Sequence, residues 1–150
     1  MEKSRFSVKK VVKVALLVAV ASVVVVSGNA SASATGVATW GGFTTSIKGI
    51  PVPIKNGVLI HQISGSGRNY THQKAQAQSP LICYGRIDFV ELGVGDKEIS
   101  RSKGSESAGC VKFAITRQRN NGKFGSNVRK ACAQFYVNGV SKARQCHSIY

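Results

Sequence analysis

From Cys110 onward the chain alternates apolar and polar residues with a period of two, and this alternation governs what it can fold into. Val111, Phe113 and Ile115 fall on one side of an extended backbone, with Lys112, Ala114 and Thr116 on the other. Ala133, Phe135 and Val137 repeat the pattern, and Ile87 and Phe89 oppose Arg86 and Asp88. Successive strand side chains point to opposite faces, so the spacing requires sheets with one buried and one solvated face. Asn138-Gly139, between Val137 and Val140, is a hairpin signal, because both residues tolerate the positive φ of a type I′ turn.

The rest of the chain reads the same way. Val37 to Trp40 and Phe43 to Lys48 are rich in β-branched and aromatic residues and are split by Gly41-Gly42. Ile50-Pro-Val-Pro-Ile54 cannot be a central strand, since proline offers no ladder donor; it predicts an extended edge or linker. Val58 to Ser64 predicts a strand, with Gly65-Ser66-Gly67 as a break. Thr71 to Ser79 fits either a helix or a polar strand through its Ala/Gln alternation. Gly93 to Gly109 and Arg117 to Lys130 look like loops. The sum is an all-β fold, a small disulfide-stapled β-sandwich or barrel of about seven or eight short antiparallel strands.

The amino-terminal end follows a different logic. Lys3, Arg5, Lys9, Lys10 and Lys13 precede an uncharged apolar run, Val14 to Val26, and then a small-residue stretch ending in Ala32-Ser-Ala34. Positive, apolar and small in that order is the pattern of a secretory signal. Thirteen apolar residues fall short of the roughly 20 that span a bilayer. The expected division is a signal-peptide helix at 1–34, cleaved before Thr35 or Ser33, and an extracellular domain at 35–150.

Export gives the cysteines their meaning. Cys83, Cys110, Cys132 and Cys146 all lie beyond the leader, and an even count in an oxidising compartment predicts two disulfides. Their intervals match no zinc-site spacing, and no motif calls for a cofactor. Three pairings are possible; the sequential one, Cys83–Cys110 with Cys132–Cys146, is expected. It carries a consequence. A strict two-residue loop at Asn138-Gly139 sets Cys132 against Gln145, so a Cys132–Cys146 bridge demands a bulge or a longer loop.

Without residues 1–34, five of the 21 basic and one of the six acidic residues go, leaving 16 against five and a net charge of +11. Such a charge favours anionic partners: a cell envelope, an acidic polysaccharide or nucleic acid. The sharpest candidate anion site is Arg117, Arg119, Lys123, Arg129 and Lys130. Phe124 is placed among them to stack on a base or sugar, and Lys142 and Arg144 extend the patch. A solvated loop is the plainer alternative. His61, His72 and His147, with Asp88 and Glu91, hold the residue types of a general acid–base pair, but their spacing does not bring them together, and no catalytic residue is assigned. Trp40 and Tyr70 could form a sugar platform, but aromatic residues are sparse, and Trp40 is read as a core residue first.

Two stretches carry a family resemblance. Ala131-Cys-Ala-Gln-Phe-Tyr-Val-Asn-Gly139 followed by Arg144-Gln-Cys-His147 resembles the end of small secreted proteins of actinomycete (Streptomyces-type) bacteria, a group of unknown function. Cys83-x-x-Arg86-Ile-Asp-Phe89 is similar to an internal motif of the same group. The resemblance implies a bacterial secreted β-protein, supports pairing Cys83 with Cys110, and transfers no catalytic residue. The expected function is therefore a cationic, non-enzymatic binding protein for anionic envelope or polymer surfaces, with antimicrobial action as one consequence. A small secreted nuclease is the alternative, or a protease inhibitor presenting Gly93–Gly109 on a disulfide-rigid scaffold.

Overall fold

A computed structural model describes residues 32–150; the leader expected at 1–34 lies outside these except for its last three residues. Ten strands follow in order: β1 (Ala32–Trp40), β2 (Phe43–Ile47), β3 (Ile50–Ile54), β4 (Gly57–Ser66), β5 (Asn69–Cys83), β6 (Gly85–Leu92), β7 (Glu98–Ser102), β8 (Cys110–Lys123), β9 (Lys130–Val137) and β10 (Val140–Ser148). The count exceeds the expected seven or eight. Strand β1 includes residues assigned to the leader, and β7 forms within a segment read as loop. Arg117–Lys123, also read as loop, continues β8.

The strands form two four-stranded sheets, β1-β4-β5-β8 and β10-β9-β6-β7, with β2-β3 as a separate hairpin. All pairings are antiparallel. The proline-bearing β3 pairs on one side only, with β2, as its missing N–H groups demand. Thr71–Ser79 resolves as strand: Ala75 and Ala77 are wholly buried while Gln76 and Gln78 face outward.

The inner faces of the sheets meet over one apolar cluster, which holds Trp40, Leu59, Ala75, Ala77, Ile82, Ile87, Phe89, Ala133, Phe135 and Val137. Trp40 and Phe135 stack in a tilted arrangement, ring centroids 4.7 Å apart. Alanines at 75, 77 and 133 leave room for these rings, as close packing requires. A second cluster of Ile63, Phe124, Val128, Ala131 and Ile149 closes one end.

Both disulfides form in the sequential pairing, Cys83–Cys110 and Cys132–Cys146. The last hairpin has the irregularity this requires. Val140 and Ser141 pair with Val137 and Tyr136 in the register of a two-residue turn. Lys142 then bulges, and Ala143 pairs with Phe135, so Cys146 comes opposite Cys132. Asn138 (φ 48°) and Gly139 (φ 75°) supply the left-handed turn.

One alternation fails. Val111 and Ile115 pack against the core, but Phe113 has φ 73° beside a register shift between β5 and β8, and its ring is 75% exposed. A bulky residue at positive φ costs about 1–3 kcal/mol.

Candidate functional site

Beyond Ile115, the inward positions of β8 are Arg117 and Arg119, alternating with outward Gln118 and Asn120. The two arginines predicted to grip phosphates are therefore directed toward the other sheet. Arg117 donates to the carbonyls of Ile87 and Ser102 and to Ser102 Oγ, its guanidinium 4.8 Å from the Phe89 ring centroid. Burial lowers its pKa from the usual arginine value. It joins β8 to the edge of the second sheet.

Arg119 heads a buried polar chain. Its Nε donates to Gln73 Oε1 (2.5 Å) and its Nη2 to Glu91 Oε1 (3.0 Å), while Phe89, Tyr70 and Phe124 surround the guanidinium. Arginine can only donate, so it fixes the Gln73 amide with oxygen toward itself and NH2 toward His61. That NH2 donates to His61 Nε2 at 2.8 Å, which leaves the imidazole proton on Nδ1. Nδ1 has no hydrogen-bond partner. Burial first, and then the nearby His147, push the His61 pKa down to about 3; the Gln145 backbone pulls the other way, and Arg119 adds the smallest downward push. His147 donates its Nε2–H to the His61 carbonyl at 2.9 Å, with the two rings 4.9 Å apart. Gly36 makes room for this edge: a Cβ there would lie 2.1 Å from Gln145 Nε2 and 3.0 Å from the His147 ring.

His61, His147, Arg119 and Glu91 thus come together through pairings far apart in sequence. His61 is completely buried, and His72 lies on the opposite face of its sheet, opposite Ser64 and Asn120. The cluster is an internal strut, with no arrangement of two accessible imidazoles among the described residues.

The other predicted cations disperse. Phe124 is 1% exposed within the second apolar cluster and stacks on the half-buried Tyr70 at 4.8 Å, so the Phe124 ring is not presented to a ligand. Lys123 and Arg129 are exposed, whereas Lys130 pairs with Asp96 at 2.7 Å. Lys142, the bulged residue, sits 3.6 Å over the Phe43 ring. Arg144 is exposed and donates to Gln134 Oε1.

The outer face of the second sheet carries a network that the charge count alone did not reveal. Register places Arg86 beside Tyr136 and sets Asp88, Gln134 and Arg144 in one row. Asp88, fully buried, accepts from Arg86, Arg101 and the Gly104 backbone N–H. Arg101 also donates to Tyr136 Oη, Gln134 Oε1 and both carboxylate oxygens of Glu98. Glu98 is held below the usual carboxylate range, first by the Arg101 hydrogen bonds. Arg86 lies 4.5 Å over the Tyr136 ring. Strand β6 and the β9–β10 hairpin meet here, and Arg101, from a segment read as loop, completes the network.

That segment is ordered by its neighbours. Gly93–Gly109 contains a 3-10 turn (Val94–Asp96) and β7; beyond them Gly104 bonds Asp88, and Ser107 N–H donates to the Gly85 carbonyl. Between it and β8 lies a cavity of about 370 Å³ lined by Ile87, Glu106, Ile115 and Arg117 among others.

Comparison with protein families, curated proteins and solved structures finds no match to this chain.

Proposed function

We propose that this domain is a secreted, non-enzymatic protein that binds extended anionic polymers at a cell envelope. The fate of the carboxylates carries the reading. Of the five acidic side chains beyond residue 34, Asp88, Glu91, Asp96 and Glu98 are ion-paired within the fold, to Arg86, Arg101, Arg119 or Lys130, and Glu106 alone is exposed without such a pair. Lys48, Lys55, Lys97, Lys103, Lys112, Lys123, Arg129 and Arg144 are exposed with no carboxylate partner among the described residues. They are scattered over the β2–β3 turn, the link from β3 to β4, both flanks of β7, both ends of β8, the approach to β9 and the strand β10. A diffuse field of this kind suits a partner with many charges better than one compact anion. Two disulfides fit an oxidising compartment.

Retention on immobilised heparin and polyphosphate tests the idea. The expected affinity falls linearly in log–log form with salt, because bound counterions are released. Reversing Lys48, Lys55 and Lys103 to glutamate should flatten that slope. Failure to bind either polymer at about 50 mM salt would refute the proposal.

A further inference from the structure

The outer face of the first sheet differs from the rest of this cationic surface. Register aligns Thr35, Gln62, Lys74 and Gln118 in one row across the four strands, and Val37, Ile60, Gln76 and Thr116 in the next. A third row holds Thr39, Val58, Gln78 and Ala114. These three rows contain no carboxylate and a single cation, Lys74. Their hydrogen-bonding capacity is mainly amide and hydroxyl, each able to donate and accept.

The third row ends at Ala114, next to Phe113 in the chain. This ring is held in solvent by a left-handed backbone where a regular strand would have turned it inward. It shares a cavity of about 520 Å³ with Val58, Gln76, Gln78 and Pro80. Strained backbone conformations cluster at functional sites, and this one presents an aromatic ring instead of burying it. An apolar platform with a few fixed polar groups beside it is the general form of a ligand site.

We propose that this face binds a neutral, N-acetylated glycan chain, with Phe113 stacked on the C–H face of one pyranose ring. The Gln76 and Gln78 amides pair with its acetamido and hydroxyl groups. Three features select this partner over others. An acetamido group offers one N–H and one C=O, the same pair a glutamine side chain offers, so each amide is satisfied in both senses. Rows of side chains on neighbouring strands recur roughly every 4.8 Å, about the length of one sugar unit, so an extended chain crossing the strands meets a partner on each. The near absence of charge fits a neutral polymer and leaves the polyanion-binding surface elsewhere.

The test is sedimentation with insoluble chitin, and titration with N-acetylchitohexaose, at both low and molar salt. Binding is expected to survive molar salt, whereas heparin retention is lost there, so the two readings fail independently. Phe113→Gly relaxes the strained backbone and should fold as stably as the parent while weakening hexaose binding at least tenfold. Gln76→Ala with Gln78→Ala should weaken it by a similar factor. No binding to chitin or hexaose overturns the proposal, as does Phe113→Gly affinity within twofold of the parent. Loss of binding in molar salt overturns it too, by assigning the contact to charge alone.

Discussion

Replacing Asp88 by alanine is the severest single test of how the second sheet is held. The carboxylate is fully buried and answers three donors, two guanidiniums and the Gly104 N–H. Removing one partner of a buried ion pair costs about 3–5 kcal/mol, because the remaining charge is left unpaired. Arg86 and Arg101 each keep 21% of their side-chain exposure, so water softens the loss. Arg101 also retains Glu98. The expected penalty is therefore at the low end, about 3 kcal/mol, a large share of the 5–15 kcal/mol typical of a whole domain. For a domain of this size that lowers Tm by about 10 °C. Asp88→Asn should fall between: one amide oxygen still accepts, but the NH2 must face a donor. Urea and thermal unfolding of the oxidised proteins give the measurement. An Asp88→Ala penalty below about 1 kcal/mol would show that the network is solvated surface, and the burial argument would fail.

Two further outcomes follow from the interior and from the last hairpin. His61 has a folded-state pKa near 3 against an ordinary value of 6.5, so its contribution is fully present above pH 6.5 and is lost as pH falls toward 3. Unfolding free energies from urea titrations between pH 7 and 5 should decline with a slope of up to about 1.4 kcal/mol per pH unit, and His61→Gln should flatten it; an unchanged slope in that variant refutes the assignment. Deleting Lys142 removes the bulge but leaves Cys146 opposite Cys132, now in the register of a plain two-residue turn. Peptide mapping should find the Cys132–Cys146 bridge intact, and a scrambled pairing would refute the bulge reading.

Much of the scaffold was legible because it rests on residues with few options. Asn138-Gly139 fixes a left-handed turn, the cysteine positions then require a bulge or a longer loop, which the structure resolves as the bulge at Lys142, and the alternation of Ala133, Phe135 and Val137 selects the buried face. The basic stretch after Ile115 misled for an equally physical reason. Arg117 and Arg119 keep the inward phase of the strand, but guanidiniums at core-facing positions look like solvent residues until their carbonyl, amide and carboxylate partners are known. Phe113 was placed inside because hydropathy does not report the sign of φ. Strand β7, Glu98-Ile-Ser-Arg-Ser102, has almost no apolar residue to announce it. Its order comes from β6 and from Arg101 reaching Asp88, which are tertiary contacts. The gathering of His61, His147, Arg119 and Glu91 likewise depends on pairings that no local spacing contains.

Each disulfide links strands of the same sheet: Cys83–Cys110 ties β5 to β8, and Cys132–Cys146 ties β9 to β10. The two layers are thus stitched within themselves and never to each other. Residues 84–109, which leave the first layer to build half of the second, depart from and return to one covalent knot. If the layers part under force or denaturant, β6 and β7 remain leashed at that point and stay within reach of their old partners. The oxidised chain then keeps β5 at β8 and β9 at β10 and has the other pairings to re-form, whereas the reduced chain must find every pairing again.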